Sequence, residues 1–171
     1  VCHEIGHHIG GAPKKGGWFG GWATNEGQAD YFATLKCLRK TFRAENNTAI
    51  VAALNVPATV TKTCSSEFSD STDQLICQRG AMAGMSTAKL FQALRKQPAA
   101  PEFATPDTKV VSKTNHNHPD TQCRLDTYYS GAVCNINEMV DVDQKDEAVG
   151  VCYRESGDTT GVRPLCWFKP E

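Results

Sequence analysis

The residues best suited to chemistry lie at the start of the sequence, where His3-Glu4-Ile5-Gly6-His7 forms an H-E-x-x-H pattern. On a helix the two histidines are one turn apart, so their imidazoles leave the same face and can bind one metal ion. Glu4 stands beside them, where its carboxylate can handle a proton. The pattern predicts a zinc site with His3 and His7 as ligands and Glu4 as the general base.

A catalytic zinc site usually has a third protein ligand and an open position for water. A metzincin would place a histidine where this chain has Pro13, so that arrangement is excluded. Glu26 and Asp30 are four residues apart and share one face of a second predicted helix. We predict that Glu26 is the third ligand and that Asp30 holds the free N–H of a ligand histidine. Asp30 as the ligand is the alternative, but the G-T-x-D pattern of aspartate-type zincins is missing.

A third pattern follows later, where His118-Pro119 precedes Arg124 by the spacing H-P-x-x-x-x-R. H-E-x-G-H, E-x-x-x-D and H-P-x-x-x-x-R in this order resemble the gluzincin peptidases of the HtpX, BepA and type I CAAX prenyl protease family. The resemblance covers the motif positions between residues 3 and 125. It implies a zinc-dependent endopeptidase with Zn²⁺ as cofactor and a protein or peptide as substrate.

The resemblance also implies a role for His118, since the equivalent histidine of BepA-like enzymes can approach the zinc as a fourth ligand and keep the enzyme shut. Two other roles for His118 stay open: a hydrogen bond to the oxyanion of the transition state, and a structural contact that holds its loop. We predict that Arg124 pairs with a carboxylate near the site and fixes the His118 loop. His8 and His116 are assigned to structure or solvent.

The main rival hypothesis is a secreted, disulfide-stabilised binding or structural domain that keeps a zincin scaffold without turnover. All the residue types needed for catalysis are present, which favours the peptidase.

Composition narrows the class of protein. The chain has 171 residues, a net charge of -1 and 22% charged residues, which gives no electrostatic basis for binding nucleic acid or an anionic membrane. It has no apolar run long enough to cross a bilayer. Eight cysteines without a C-x-x-C pair predict disulfides and an extracytoplasmic location, either secreted or periplasmic, although the sequence does not select the pairing. The cysteines are Cys2, Cys37, Cys64, Cys77, Cys123, Cys134, Cys152 and Cys166.

The pattern of apolar residues and helix terminators predicts a mainly α protein with a zincin-like helical core. The first helix should end at Gly10-Gly11, and the second should run from Thr24 or Asn25 to about Arg43. A longer helix from about Ser71 to Arg95 should back these two motif helices, and a short one should carry Arg124. The segment between the first two helices, with Trp18 and Trp22, is either a loop pinned to the core or a mobile flap.

Two domains are predicted: a metallopeptidase core at 1–129 and a loop-rich, disulfide-stapled C-terminal extension at 130–171 that packs on it. Because the motif begins so close to Val1, we expect an upstream segment of the same protein to complete the core. Its edge strands would make the class α+β and would bind the substrate backbone.

Overall fold

Helices make up almost all of the regular structure. The computed structural model describes residues 1–16 and 21–170, and across these ranges the β structure amounts to one isolated bridge between Lys14 and Thr24. The mainly α class is therefore confirmed. The α-helices are α1 (Cys2–Ile9), α2 (Glu26–Phe32), α3 (Leu38–Phe42), α4 (Asn47–Ala52), α5 (Ala58–Glu67), α6 (Ser71–Leu94) and α7 (Thr121–Val133). A π-helical turn, Ala33–Cys37, joins α2 to α3, and a 3-10 turn covers Arg154–Ser156.

The helix boundaries follow from local chemistry. α1 ends before Gly10-Gly11, and Gly11 has a φ of 81°, a backbone angle that favours glycine. Asn25 caps α2 because its side-chain oxygen accepts a hydrogen bond from the Gln28 amide at 2.8 Å. Asp70 caps α6 in the same way, accepting from the amides of Thr72 and Asp73. These boundaries match the predicted ones, whereas the π-helical turn was not foreseen.

α1 and α2 cross in direct contact at Gly6. A Cβ atom at Gly6 would lie 3.0 Å from both the Cα and the carbonyl oxygen of Ala29, so only glycine allows the helices to approach this closely. A disulfide between Cys2 and Cys37 joins the start of α1 to the π-helical turn. The two motif helices are therefore held together both by packing and by a covalent bond.

The expectation that α6 backs both motif helices holds only for the later part of the second one, where α6 contacts the π-helical turn and α3. α6 packs chiefly on α7, and α7 packs on α2 and the π-helical turn, so α7 is the layer between them. The reason is the apolar face of α6: Ala81 contacts a cluster that includes Ala132 and Val133, and Met85 packs with Leu125. The side of α7 that faces the motif helices carries Arg124.

The C-terminal segment is loop-rich but contributes most of the largest buried cluster. This cluster contains Tyr31 and Leu35 from the second motif helix together with Val151, Val162 and Trp167. Trp167 is fully buried and lies over Gly27, where a Cβ atom would come within 2.3 Å of its indole ring. α7 continues to Val133, across the boundary drawn at 129/130, and the division into two domains stays a prediction.

All eight cysteines are paired, so the predicted disulfide framework is confirmed. The bonds are Cys2–Cys37, Cys64–Cys77, Cys123–Cys166 and Cys134–Cys152.

The segment between α1 and α2 was predicted to be either a loop pinned to the core by Trp18 and Trp22 or a mobile flap. Trp18 lies outside the described residues, and so does most of the segment predicted to be a loop or flap. Trp22 is 68% exposed with its ring 5.0 Å from that of His8, so it does not pin the loop to the core.

In the part of the chain that the structure describes, every helix is too short or too polar to span a bilayer.

Candidate metal centre

The crossing of α1 and α2 brings the H-E-x-x-H histidines over the first turn of α2. The Nε2 atoms of His3 and His7 lie 3.2 Å and 3.4 Å from the same oxygen, Oε2 of Glu26. The two imidazole rings are nearly perpendicular, with centroids 4.7 Å apart. His3, His7 and Glu26 therefore present two nitrogens and one oxygen to a common point, and we call these three residues the ligand cluster.

The other nitrogen of each histidine is tied to an oxygen. Nδ1 of His7 lies 2.8 Å from the carbonyl oxygen of Thr24, which can only accept a hydrogen bond, so Nδ1 carries the proton. Nδ1 of His3 lies 2.6 Å from Oδ1 of Asp30. In the neutral imidazoles, a proton on Nδ1 leaves the lone pair on Nε2, and both Nε2 atoms are directed at Glu26. Hydrogen bonds at the other ring nitrogen orient histidine ligands in metal sites in the same way.

Asp30 is held from two sides. Arg124 donates to both of its carboxylate oxygens, from Nε to Oδ2 and from an Nη to Oδ1, each at 2.7 Å. The Phe91 ring covers the Arg124 guanidinium at 4.0 Å. Asp30 is fully buried, and both of its oxygens are engaged. This geometry favours Asp30 as the partner of His3 over the alternative in which it binds the metal.

These contacts alter the proton affinities of the site. Burial would raise the pKa of Asp30, but hydrogen bonds from His3 and Arg124 outweigh it and lower the pKa. Burial would lower the pKa of His3, yet the hydrogen bond and charge of Asp30 raise it. For Glu26, burial is outweighed by the hydrogen bond from Lys15 and by nearby His118 and His7, so its pKa is also lowered. Both carboxylates are therefore ionised at neutral pH.

His118 approaches the ligand cluster from the segment before α7. Its Nδ1 lies 3.2 Å from Oε2 of Glu26, although its side chain is 57% exposed. Its ring is roughly parallel to that of His3 at a centroid distance of 6.5 Å. His116 is turned elsewhere, with Nδ1 3.4 Å from the side-chain nitrogen of Asn25. The structure thus places His118, and not His116, beside the predicted metal ligands.

Glu4 lies on the exposed side of α1, next to His3 in the chain. Across residues 1–16 and 21–170, no hydrogen bond or ion pair engages its carboxylate. A general base needs an acceptor that is free to take a proton, and Glu4 meets that requirement.

The donor set fits a zinc ion. The ligand atoms of His3, His7 and Glu26 all lie within 4.8 Å of one another. Oε2 of Glu26 is buried without a hydrogen-bond partner, which is costly for a carboxylate oxygen unless a cation binds it. Two imidazole nitrogens and one carboxylate oxygen are a known ligand set for catalytic zinc. A second group, Asp107 with Cys123 and Cys166, does not qualify because these cysteines form a disulfide.

One contact of the ligand cluster was missed by sequence reasoning. Lys15, from the loop after α1, donates to Oε1 of Glu26 at 2.5 Å. Lys15 lies in none of the three motifs, and a lysine in a glycine-rich loop is usually interpreted as a solvated surface charge. The sequence offered no signal for this contact.

Comparison of the chain with family models, with curated proteins and with solved structures finds no match. The resemblance to the gluzincin peptidases therefore rests on the three motifs and stays a prediction.

Proposed function

We propose that the protein is a zinc-dependent endopeptidase of the gluzincin type, similar to the HtpX, BepA and type I CAAX prenyl protease family. The observation that carries the proposal is the arrangement of His3 and His7: both Nδ1 atoms contact an oxygen of the protein, and both Nε2 atoms face a buried Glu26 oxygen that has no hydrogen-bond partner. His3, His7 and Glu26 would hold the zinc. When bound, zinc supplies Lewis acidity and lowers the pKa of a bound water towards neutrality.

The remaining chemistry belongs to residues of the chain. Glu4, unengaged and next to His3 in the chain, accepts the proton of the attacking water and passes it to the leaving nitrogen. Asp30 fixes the tautomer and orientation of His3, and Arg124 keeps Asp30 ionised and in place. This scheme hydrolyses a peptide bond without a covalent acyl-enzyme.

The first test compares wild type with Glu4→Gln, in zinc content and in cleavage of an unfolded protein. We expect one zinc in each protein and loss of cleavage by about 10² to 10⁴-fold in the variant, because proton transfer contributes that much. Equal cleavage by the two proteins would remove Glu4 from the mechanism. Wild type without zinc would remove the metal site itself.

A second test separates the two carboxylates of α2. Glu26→Gln takes away the only charged ligand of the cluster and should lose most of the zinc. Asp30→Asn keeps an acceptor for His3 Nδ1 and should weaken zinc binding by about 10 to 100-fold, the usual effect of a residue that orients a ligand. The opposite order in metal titrations would identify Asp30 as the ligand.

The competing function is a non-catalytic zinc-binding or structural domain, and one observation favours it. His118 Nδ1 lies as close to Glu26 Oε2 as the His3 nitrogen does, so His118 can close the position that a water needs. A wild type that binds zinc but cleaves nothing, together with a His118→Ala variant that also cleaves nothing, would establish this alternative. Cleavage that appears only in His118→Ala would show a latched peptidase.

The four disulfides and the lack of a membrane-spanning helix among the described residues support an extracytoplasmic, secreted or periplasmic, location for this activity. Its substrate would be a protein or peptide.

A further inference from the structure

The two oxygens of Glu26 have different surroundings. Oε2 faces the Nε2 atoms of His3 and His7 and has no hydrogen-bond partner, whereas Oε1 accepts a hydrogen bond from the Lys15 ammonium. A carboxylate can bind zinc through one oxygen or through both. Here one oxygen is already engaged by a cation of the protein, and only the other is available to a metal.

The position of Lys15 is fixed by the backbone around it. Its amide donates to the Ala23 carbonyl at 2.7 Å, and the Asn25 amide donates to the Pro13 carbonyl at 3.0 Å. These bonds pair the segment after α1 with the segment that leads into Glu26. The backbones of Lys15 and Glu26 are therefore held close to each other by these two hydrogen bonds. The contact between their side chains does not depend on the chance meeting of two mobile surface groups.

Stability of the fold does not account for the contact. The Lys15 side chain is 42% exposed, and ion pairs open to solvent contribute little to folding. Its partner Glu26 is nearly fully buried and belongs to the ligand cluster. The hydrogen bond from Lys15 restrains Oε1 of Glu26 and therefore the orientation of the carboxylate.

We propose that Lys15 is a positioning residue that holds Glu26 to metal binding through one oxygen. This inference rests on the proposed zinc site. With Oε1 held by the ammonium, Glu26 contributes a single oxygen beside His3 and His7, so a coordination position stays free for water or substrate. Without Lys15, the carboxylate can rotate and bind through both oxygens, which adds a fifth ligand atom beside the bound water and occupies the space that a substrate carbonyl would need.

The experiment compares Lys15→Met with wild type, with Lys15→Arg and with a matched control, Lys14→Met. Lys14 stands in the same loop but donates to Thr24 Oγ1 at 3.3 Å and makes no contact with Glu26. Zinc affinity is measured by competition with a chelator. Cobalt then replaces zinc, because its visible absorption is stronger in four-coordinate sites than in five-coordinate ones. Thermal unfolding without metal checks that all four proteins fold alike.

We expect Lys15→Met to keep zinc with an affinity within about tenfold of wild type, because loss of orientation weakens binding whereas a second bound oxygen and the removal of a charge that repels the metal strengthen it. Its cobalt form should lose the intense absorption. Lys14→Met should match wild type, and Lys15→Arg, which keeps both donor and charge, should retain the absorption.

The possible outcomes distinguish failure of the Lys15 role from failure of the zinc site. If wild type binds zinc and the cobalt form of Lys15→Met has the same spectrum as that of wild type, the role of Lys15 is refuted while the zinc site stands. If Lys15→Arg loses the absorption as completely as Lys15→Met, positioning by a donated hydrogen bond is refuted as well. If wild type binds no metal, both the zinc site and the role of Lys15 fail.

Discussion

Replacing Arg124 by methionine tests the ion pair that supports the ligand cluster. Asp30 is fully buried and Arg124 is 2% exposed, so the variant leaves a buried carboxylate without its main counter-charge. Breaking a buried pair from one side costs about 3 to 5 kcal/mol. His3 still donates to Asp30, and Arg124 Nη1 has no hydrogen-bond partner even in the native fold, so the lower end of that range is expected.

The expected loss is therefore about 3 kcal/mol of unfolding free energy. For a chain of 171 residues the unfolding entropy is about 0.36 kcal/mol/K, so the melting temperature should fall by about 8 °C. The assay is thermal unfolding with the disulfides intact and a chelator present, so that metal binding does not contribute. Arg154→Met is the matched control, because Arg154 is exposed and its loss should cost less than about 0.5 kcal/mol.

A double variant locates the cause of that loss. Asp30→Asn removes the stranded charge, so adding it to Arg124→Met should recover about 1 to 2 kcal/mol instead of destabilising the protein further. Two results would refute the reasoning: Arg124→Met as stable as the Arg154 control, or a double variant whose loss equals the sum of the two single losses.

Two further predictions concern the packing of α2 and the pH dependence of stability. Gly27→Ala places a Cβ atom 2.3 Å from the buried Trp167 ring and should lower the unfolding free energy by about 1 to 3 kcal/mol. Gly16→Ala is the control, because a Cβ atom there meets no neighbour and should leave the unfolding free energy unchanged. Equal urea midpoints for the two variants would contradict this packing. Burial lowers the pKa of Lys36 to about 8, so from about pH 8 to pH 10 the unfolded chain binds more protons and stability should rise with pH. Lys36→Met should abolish most of that rise in unfolding midpoints measured across the same pH range, and an identical rise in the variant would exclude Lys36 as its source.

The sequence predicted the parts of the fold that depend on neighbouring residues. The end of α1 at Gly10-Gly11, the Asn25 cap and the long helix from Ser71 each follow from a few adjacent side chains, so they could be inferred without the fold. The order of the helices in space could not, because whether α6 or α7 backs α2 depends on which apolar faces meet.

The same distinction applies to the candidate site. Helical spacing suffices to put His3 and His7 on one face, and to place Glu26 and Asp30 on another. It does not show that Lys15 reaches Glu26, because that contact depends on how the segment after α1 pairs with the segment before α2. Nor does it fix the distance from His118 to the ligands, since more than 80 residues separate His118 from Glu26 in the chain.

The contact between the Trp167 ring and Gly27 makes the start of α2 depend on the C-terminal segment. Trp167 fills the space behind the turn that carries Glu26, and the neighbouring Cys166 is bonded to Cys123 on the helix that supplies Arg124. A chain still being synthesised, or one whose thiols are still reduced, lacks this support. The ligand cluster is therefore expected to assemble only after Trp167 has been synthesised and the Cys123–Cys166 disulfide has formed.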